Sequence, residues 1–126
     1  MFRFKAPGRH FMPGSLAKAW GEFTRYVEVG DDQFAIRQID IFRNGTYLRY
    51  DRSHWCDDFG MLLGLRFSRK RKWAKHFPGA VSVVGKEFER LWRAAASSPA
   101  AKVQADTARM ADWGTAPHWL STARAV

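Results

Sequence analysis

The clearest pattern in this sequence is an alternation of apolar and polar residues on both sides of Asn44 and Gly45. An Asn-Gly pair between two β-prone runs is typical of a two-residue type I′ turn, because both residues tolerate a positive φ. The pattern therefore predicts a β-hairpin over residues 36–52, in which Arg43 pairs with Thr46.

This register divides the hairpin into two faces of opposite character. The face predicted to lie against the core consists of Ile39, Ile41, Leu48 and Tyr50. The face predicted to lie in water consists of Gln38, Asp40, Arg49 and Asp51. Asp40 would then lie opposite Arg49, and a cross-strand pair of opposite charges is favourable.

Further strands are predicted on both sides of the hairpin. Residues 22–29 and residues 80–84 have the composition and alternation of strands, and residues 61–67 fit either a strand or an apolar loop. Together with the hairpin they predict a small antiparallel sheet.

Helical periodicity begins after Gly85. Four apolar residues recur at i, i+3, i+4 and i+7, which places them on one face of a helix. They are Phe88, Leu91, Trp92 and Ala95. Pro99 introduces a second helix, predicted over residues 100–113. The predicted fold is α+β: the sheet packs against one or two C-terminal helices, with Phe88 and Trp92 as the main buried contacts.

The length of 126 residues predicts a single core. Prolines and glycines punctuate the first twenty residues, at Pro7, Gly8, Pro13 and Gly14. We therefore expect an irregular basic N-terminal arm over residues 1–21, an α+β core over residues 22–97, and a C-terminal helix and tail over residues 98–126.

Cysteine usage and hydropathy restrict the class of protein. Cys56 is the single cysteine, so no intrachain disulfide is possible. No run approaches the roughly 20 apolar residues that a membrane-spanning helix needs. We expect a cytoplasmic protein with no membrane partner and no cofactor.

The charge is strongly basic and unevenly distributed. The formal net charge is +9, which favours an acidic partner. Acidic residues are absent from residues 59–86, and the cations there interleave with aromatic rings. Such a run suits binding to an acidic protein surface or to nucleic acid. The predicted binding residues are Arg66, Arg69, Lys70, Arg71, Lys72, Trp73 and Lys75.

Candidate chemistry is confined to His54, Cys56, Asp57 and Asp58. Zinc sites usually draw on two ligand pairs, and the remaining histidines, His10, His76 and His118, are scattered with no complementary spacing. Catalytic Cys-His pairs are seldom built from sequence neighbours. We therefore predict neither a metal site nor a catalytic site, and hence no enzyme.

Two stretches resemble an uncharacterised bacterial domain family. Residues 37–45, RQIDIFRNG, are similar to its R-K-V-E-V-F-R-D-G hairpin, and residues 83–92, VVGKEFERLW, are similar to its closing I-x-x-E-E-F-E-x-x-W helix. The resemblance covers about residues 22–95. Members carry acidic residues between the two motifs, where this chain carries its cationic run. The resemblance implies no catalytic residue.

These observations lead to two functional hypotheses. The first is a non-enzymatic bacterial or phage protein of the inhibitor or immunity type, which binds another protein through the basic and aromatic surface; this follows by analogy with other small α+β domains. The alternative is a nucleic-acid-binding protein that uses residues 66–75.

Overall fold

A computed structural model describes residues 1–8, 11, 14–67 and 73–106. The strands are β1 (Phe2–Gly8), β2 (Phe23–Val29), β3 (Ala35–Phe42), β4 (Tyr47–Asp51) and β5 (Val81–Ser82). The helices are a short 3-10 helix (Leu16–Trp20), α1 (Trp73–His76), α2 (Gly85–Ala96) and α3 (Pro99–Asp106). The strands form one antiparallel sheet in the order β4-β3-β2-β1-β5. The predicted α+β class is confirmed.

The prediction of an irregular N-terminal arm is wrong for Phe2–Gly8. This segment is strand β1, and it lies between β2 and β5. Phe2, Phe4 and Ala6 alternate with charged or exposed residues, which is the two-residue period of a strand. Gly8 ends the strand where a Cβ would lie 2.1 Å from the ring of Phe23, so the close approach of this ring requires glycine.

The predicted hairpin exists, but its register is shifted by one residue. Ile41 pairs with Tyr47, and Ile39 pairs with Arg49. Thr46 pairs with Phe42, whose N–H donates to the Thr46 carbonyl over 2.8 Å. The loop therefore contains three residues, and Gly45 alone has a positive φ, of 86°. This arrangement is a type I turn followed by a glycine bulge, and the type I′ prediction is wrong.

The register shift exchanges the faces of β4, because side chains alternate across a strand. Ile39 lies on the α2 side of the sheet, whereas Leu48 and Tyr50 lie on the other side. Gln38 and Asp40, predicted to lie in water, are 0% and 2% exposed. Both faces of the sheet are therefore covered.

The face that α2 covers is named the helix face. Its buried residues are Tyr26, Ile39, Val83, Phe88, Leu91 and Ala95. Phe88 is fully buried, as predicted. Trp92 is only half-buried, and its indole lies 5.1 Å from the Arg37 guanidinium and 4.7 Å from that of Arg49. Leu91 and Ala95 take the buried positions at this end of the helix.

The opposite face is named the loop face, because residues 14–22 and 53–67 cover most of it; Ala100 of α3 also packs into its core. Residues 61–67 form an apolar loop, with a single bridge between Met61 and Cys56. Gln38 holds this loop with both ends of its amide. Its Nε2 donates to the Met61 carbonyl over 2.9 Å, and its Oε1 accepts from the Leu63 N–H over 2.9 Å. These bonds explain the burial of Gln38.

Two of the predicted C-terminal features are only partly described. Helix α3 begins at Pro99, as predicted. The predicted continuation to residue 113 and the predicted tail lie outside the described residues. Within the described part of the chain, none of the helices is long and apolar enough to cross a membrane.

Candidate functional site

The structure describes only part of the predicted basic binding surface. Arg66 is exposed, and its Nε donates to Gln33 Oε1 over 2.7 Å. Lys75 is exposed on α1. Trp73 begins that helix. The side chain of Trp73 and the whole of Arg69, Lys70, Arg71 and Lys72 lie outside the described residues.

Two phenylalanines flank this basic run and anchor it to the sheet. Phe67 is buried, Phe77 is half-buried, and their ring centroids are 6.1 Å apart. Both rings also contact Phe4 on β1, at 5.6 and 5.5 Å. Phe67 and Phe77 are therefore both anchored at the same place in the core. These rings stabilise the core and do not form an exposed stacking platform.

Exposed apolar side chains accompany the cations near this segment in the sequence. Leu65 is 43% exposed, Val81 is 49% exposed and Val84 is 69% exposed. Lys86 follows on the outer face of α2. A surface that combines cations with exposed apolar groups has the composition of a protein-binding surface.

The segment with His54 and Asp57 is a cluster of hydrogen bonds around one buried carboxylate. Asp57 is 0% exposed. Its Oδ1 accepts from the Tyr50 hydroxyl over 2.8 Å and from the N–H groups of Phe59 and Gly60 over 2.9 and 3.1 Å. Its Oδ2 accepts from Gln104 Nε2 over 3.0 Å and lies 2.9 Å from His54 Nε2. Asp57 thus ties β4, the 53–60 loop and α3 together.

These bonds shift the titration of the cluster. The hydrogen bond to Asp57 raises the pKa of His54, although burial acts in the opposite direction. Burial alone would raise the pKa of Asp57, but hydrogen bonds from His54 and Gln104 outweigh burial and lower it. Both shifts favour the charged forms of His54 and Asp57.

The geometry of this cluster fits a structural role. Five donors already occupy both oxygens of Asp57. Ser53, the nearest hydroxyl in sequence, donates to Asp51 over 2.7 Å. Cys56 is buried. Within residues 1–8, 11, 14–67 and 73–106, no group of three or more His, Cys, Asp or Glu side chains could hold a metal ion.

A buried ion pair that the sequence did not predict lies on the loop face. Arg25 Nε donates to Asp40 Oδ1 over 2.8 Å, and Arg25 Nη2 donates to Asp40 Oδ2 over 3.1 Å. Burial alone would lower the pKa of Arg25, but the charge of Asp40 and the hydrogen bonds to it raise the pKa. The sequence contains one indication of this pair. Phe23, Arg25 and Val27 are spaced by two residues and therefore lie on the same side of β2, which places a cation on an apolar face.

A second network of charges lies on the helix face. Glu28 is 3% exposed and accepts from Arg3 and Arg37, both over 2.7 Å at Nε. Arg37 also bonds to Glu89 of α2. Burial alone would raise the pKa of Glu28, but the two guanidinium groups lower it below its ordinary value. This network attaches α2 to the sheet.

Comparison with protein families, with curated proteins and with solved structures found no match to this chain.

Proposed function

We propose that this chain is a non-enzymatic binding module that acts by binding an acidic protein, as inhibitor and immunity proteins do. The observation that carries the proposal is the pair of anchors at Phe67 and Phe77. Phe67 and Phe77 contact each other, so both ends of the cationic segment between them are held on the sheet. This supports a binding role for that segment. Holding the ends of a binding segment lowers the entropy that is lost when a partner binds.

The same rings favour protein over nucleic acid. Binding of single-stranded nucleic acid relies on exposed aromatic rings that stack on bases. Phe67 and Phe77 pack on Phe4 instead. The exposed apolar groups at Leu65, Val81 and Val84 also suit a protein surface better than phosphate groups.

The test compares two sets of four alanine substitutions. The first set, Arg69, Lys70, Arg71 and Lys72 to Ala, removes the cations between the anchors. The matched control, Lys18, Arg90, Arg93 and Lys102 to Ala, removes four exposed cations from the 3-10 helix, α2 and α3. Clustered like charges contribute little to stability, so both variants should fold.

Wild type and both variants are used to capture proteins from a lysate of the source organism, with and without nuclease. A captured acidic protein is then purified and titrated against each form by calorimetry. We expect wild type and the control to bind it in the presence of nuclease, and the first variant to bind it at least about tenfold more weakly, mainly through slower association.

Two results would overturn the proposal. One is equal affinity of the first variant and wild type for the captured protein. The other is a purified chain that carries nucleic acid, seen as a high 260/280 nm absorbance ratio that a high-salt wash lowers, with a steep salt dependence of binding that flattens in the first variant. That second result would establish the nucleic-acid function instead.

A further inference from the structure

The Arg25–Asp40 pair lies at the floor of a cleft in the loop face. Two cavities of about 120 and 90 Å³ adjoin there and share Phe23, Arg25 and Leu63 in their walls. The larger cavity is lined mainly by apolar side chains, namely Phe11, Phe23, Phe42, Phe59, Leu62 and Leu63. The Arg25 side chain is 21% exposed, whereas Asp40 is 3% exposed. The guanidinium is therefore the charged group that a small molecule in this cleft would meet.

The guanidinium of Arg25 uses only part of its hydrogen-bonding capacity. Nε and Nη2 donate to Asp40, while Nη1 has no hydrogen-bond partner in the described part of the chain. A guanidinium carries five N–H groups in a fixed fork and binds carboxylates from two sides. An apolar cleft with one available charged donor is the usual composition of a small-molecule site.

Arg37 on the helix face shows which kind of group could accept a hydrogen bond from Arg25 Nη1. Its Nε and Nη2 donate to Glu28 over 2.7 and 3.0 Å, as those of Arg25 donate to Asp40. Its Nη1 donates to a second carboxylate, Glu89, over 3.3 Å. Each arginine thus binds one carboxylate through Nε and Nη2. In the described part of the chain, Arg37 also binds a second carboxylate, and Arg25 does not.

We propose that the cleft over Arg25 binds a small apolar monocarboxylic acid, whose carboxylate accepts from Arg25 Nη1 as Glu89 accepts from Arg37. The aromatic and aliphatic walls would contact a ring or a short chain of a size that fits the two cavities. Asp40 repels the acid, but it lies behind the guanidinium and is already paired, so the nearer cation dominates. This site is separate from the proposed protein-binding function and does not depend on it.

The experiment titrates the uniformly ¹⁵N-labelled full chain at pH 7 and constant ionic strength. The probes are phenylacetate, hexanoate and the neutral phenylacetamide. Amide shifts of Gly60, Leu63 and Gly64, which line the larger cavity, report occupancy. We expect at least one of the two acids to give saturable one-to-one shifts there. Phenylacetamide should bind at least about tenfold more weakly than phenylacetate, because a neutral acceptor forms a weaker hydrogen bond with a cation.

Three variants assign the binding to this cleft. Arg25→Lys keeps a cation beside Asp40 but removes the fork, so affinity for the acid should fall at least about tenfold. Leu63 lines both cavities, so Leu63→Trp places a larger side chain in their space and should abolish the shifts. This variant also tests the site if Arg25→Lys does not fold. Arg90→Lys makes the same exchange at an exposed position on α2 and should leave affinity unchanged.

The proposal is wrong if neither acid gives saturable shifts at these amides. It is equally wrong if phenylacetamide binds as tightly as phenylacetate, or if folded Leu63→Trp or folded Arg25→Lys binds the acid as wild type does.

Discussion

The helix face and the loop face of the sheet are covered by different means. On the helix face, one amphipathic helix places Phe88, Leu91 and Ala95 against the strands. A helix satisfies its own backbone hydrogen bonds, so apolar periodicity is enough to bury that face. The loop face is covered by segments whose backbone groups need partners from elsewhere.

Polar side chains supply those partners on the loop face. Gln38 bonds to the backbone of Met61 and Leu63, and Asp57 bonds to the N–H groups of Phe59 and Gly60. The Ser15 hydroxyl donates to the Phe59 carbonyl over 2.7 Å. The loop cover is thus stabilised by polar side chains that bond to its backbone, whereas α2 is held by apolar packing and by the ion pairs of Arg37 with Glu28 and Glu89.

Phe88→Ala, on the helix face, should cause the largest loss in the free energy of unfolding. Phe88 is fully buried, and truncation of a buried phenylalanine costs about 3–5 kcal/mol of the free energy of unfolding. Urea denaturation measures the loss. Val84→Ala, at a position 69% exposed, is the control and should change stability by less than about 0.5 kcal/mol. Equal stability of Phe88→Ala and wild type would contradict the packing of α2.

Arg25→Met should have the next largest effect, on the loop face. The substitution leaves Asp40 buried without its cation, and breaking a buried pair costs about 3 kcal/mol or more. The double variant Arg25→Met with Asp40→Leu replaces both charges by apolar groups and should recover most of this loss. Chemical denaturation of both variants tests the pair. A double variant no more stable than Arg25→Met would show that the unpaired Asp40 is not the source of the loss.

Asp57→Asn should destabilise the cover of the loop face by about 2 kcal/mol. The amide nitrogen would face His54 and Gln104, and two donors would then lose their acceptor. Asp58→Asn makes the same change at the neighbouring half-exposed residue and should have an effect below about 0.5 kcal/mol. Similar midpoints of urea unfolding for the two variants would argue against Asp57 as the tie between loop, β4 and α3.

The His54–Asp57 pair should give the smallest effect, of about 1 kcal/mol, and a defined pH dependence. The raised pKa of His54 means that its contribution is complete below pH 6.5 and is lost as the pH rises through the folded pKa. The lowered pKa of Asp57 means that its contribution is complete above pH 3.8 and is lost as the pH falls through the folded pKa. Both pKa shifts report the same interaction between His54 and Asp57, which is therefore strongest between pH 3.8 and pH 6.5.

The measurement compares the free energy of unfolding of wild type and His54→Gln from pH 4 to pH 9. The difference should be largest near pH 5 and should decrease above neutral pH. A difference that stays constant over this range would show that the charge on His54 contributes nothing.

Several elements could be predicted because their signals lie within a few residues. The apolar spacing after Gly85 identified α2, and the position of Asn44 and Gly45 identified the hairpin. The register could not be read from the turn, since Asn-Gly fits both a two-residue and a three-residue loop. The pairing of Arg25 with Asp40 comes instead from the register of β2 with β3, in which these two residues lie opposite each other.

The candidate sites also combine features that the sequence predicts with features that only the fold brings together. The proximity of His54 to Asp57 follows from their spacing, but their partners Tyr50 and Gln104 come from β4 and α3. The contact between Phe67 and Phe77 and the cleft over Arg25 also join elements that are distant in sequence. Periodicity indicates which side of a strand a residue occupies, and it says nothing of what covers that side.

The sequence by itself determined the α+β class, helix α2 with Phe88 in its core, the place of the hairpin turn and the acid-free basic stretch of residues 59–86. The tertiary structure alone decided the hairpin register, the burial of Gln38 and Asp40, and the strand formed by Phe2–Gly8. The physical reason is the range of the interactions. Propensity and periodicity act over a few residues, whereas burial of a charge depends on a partner such as Arg25, which lies 15 residues from Asp40.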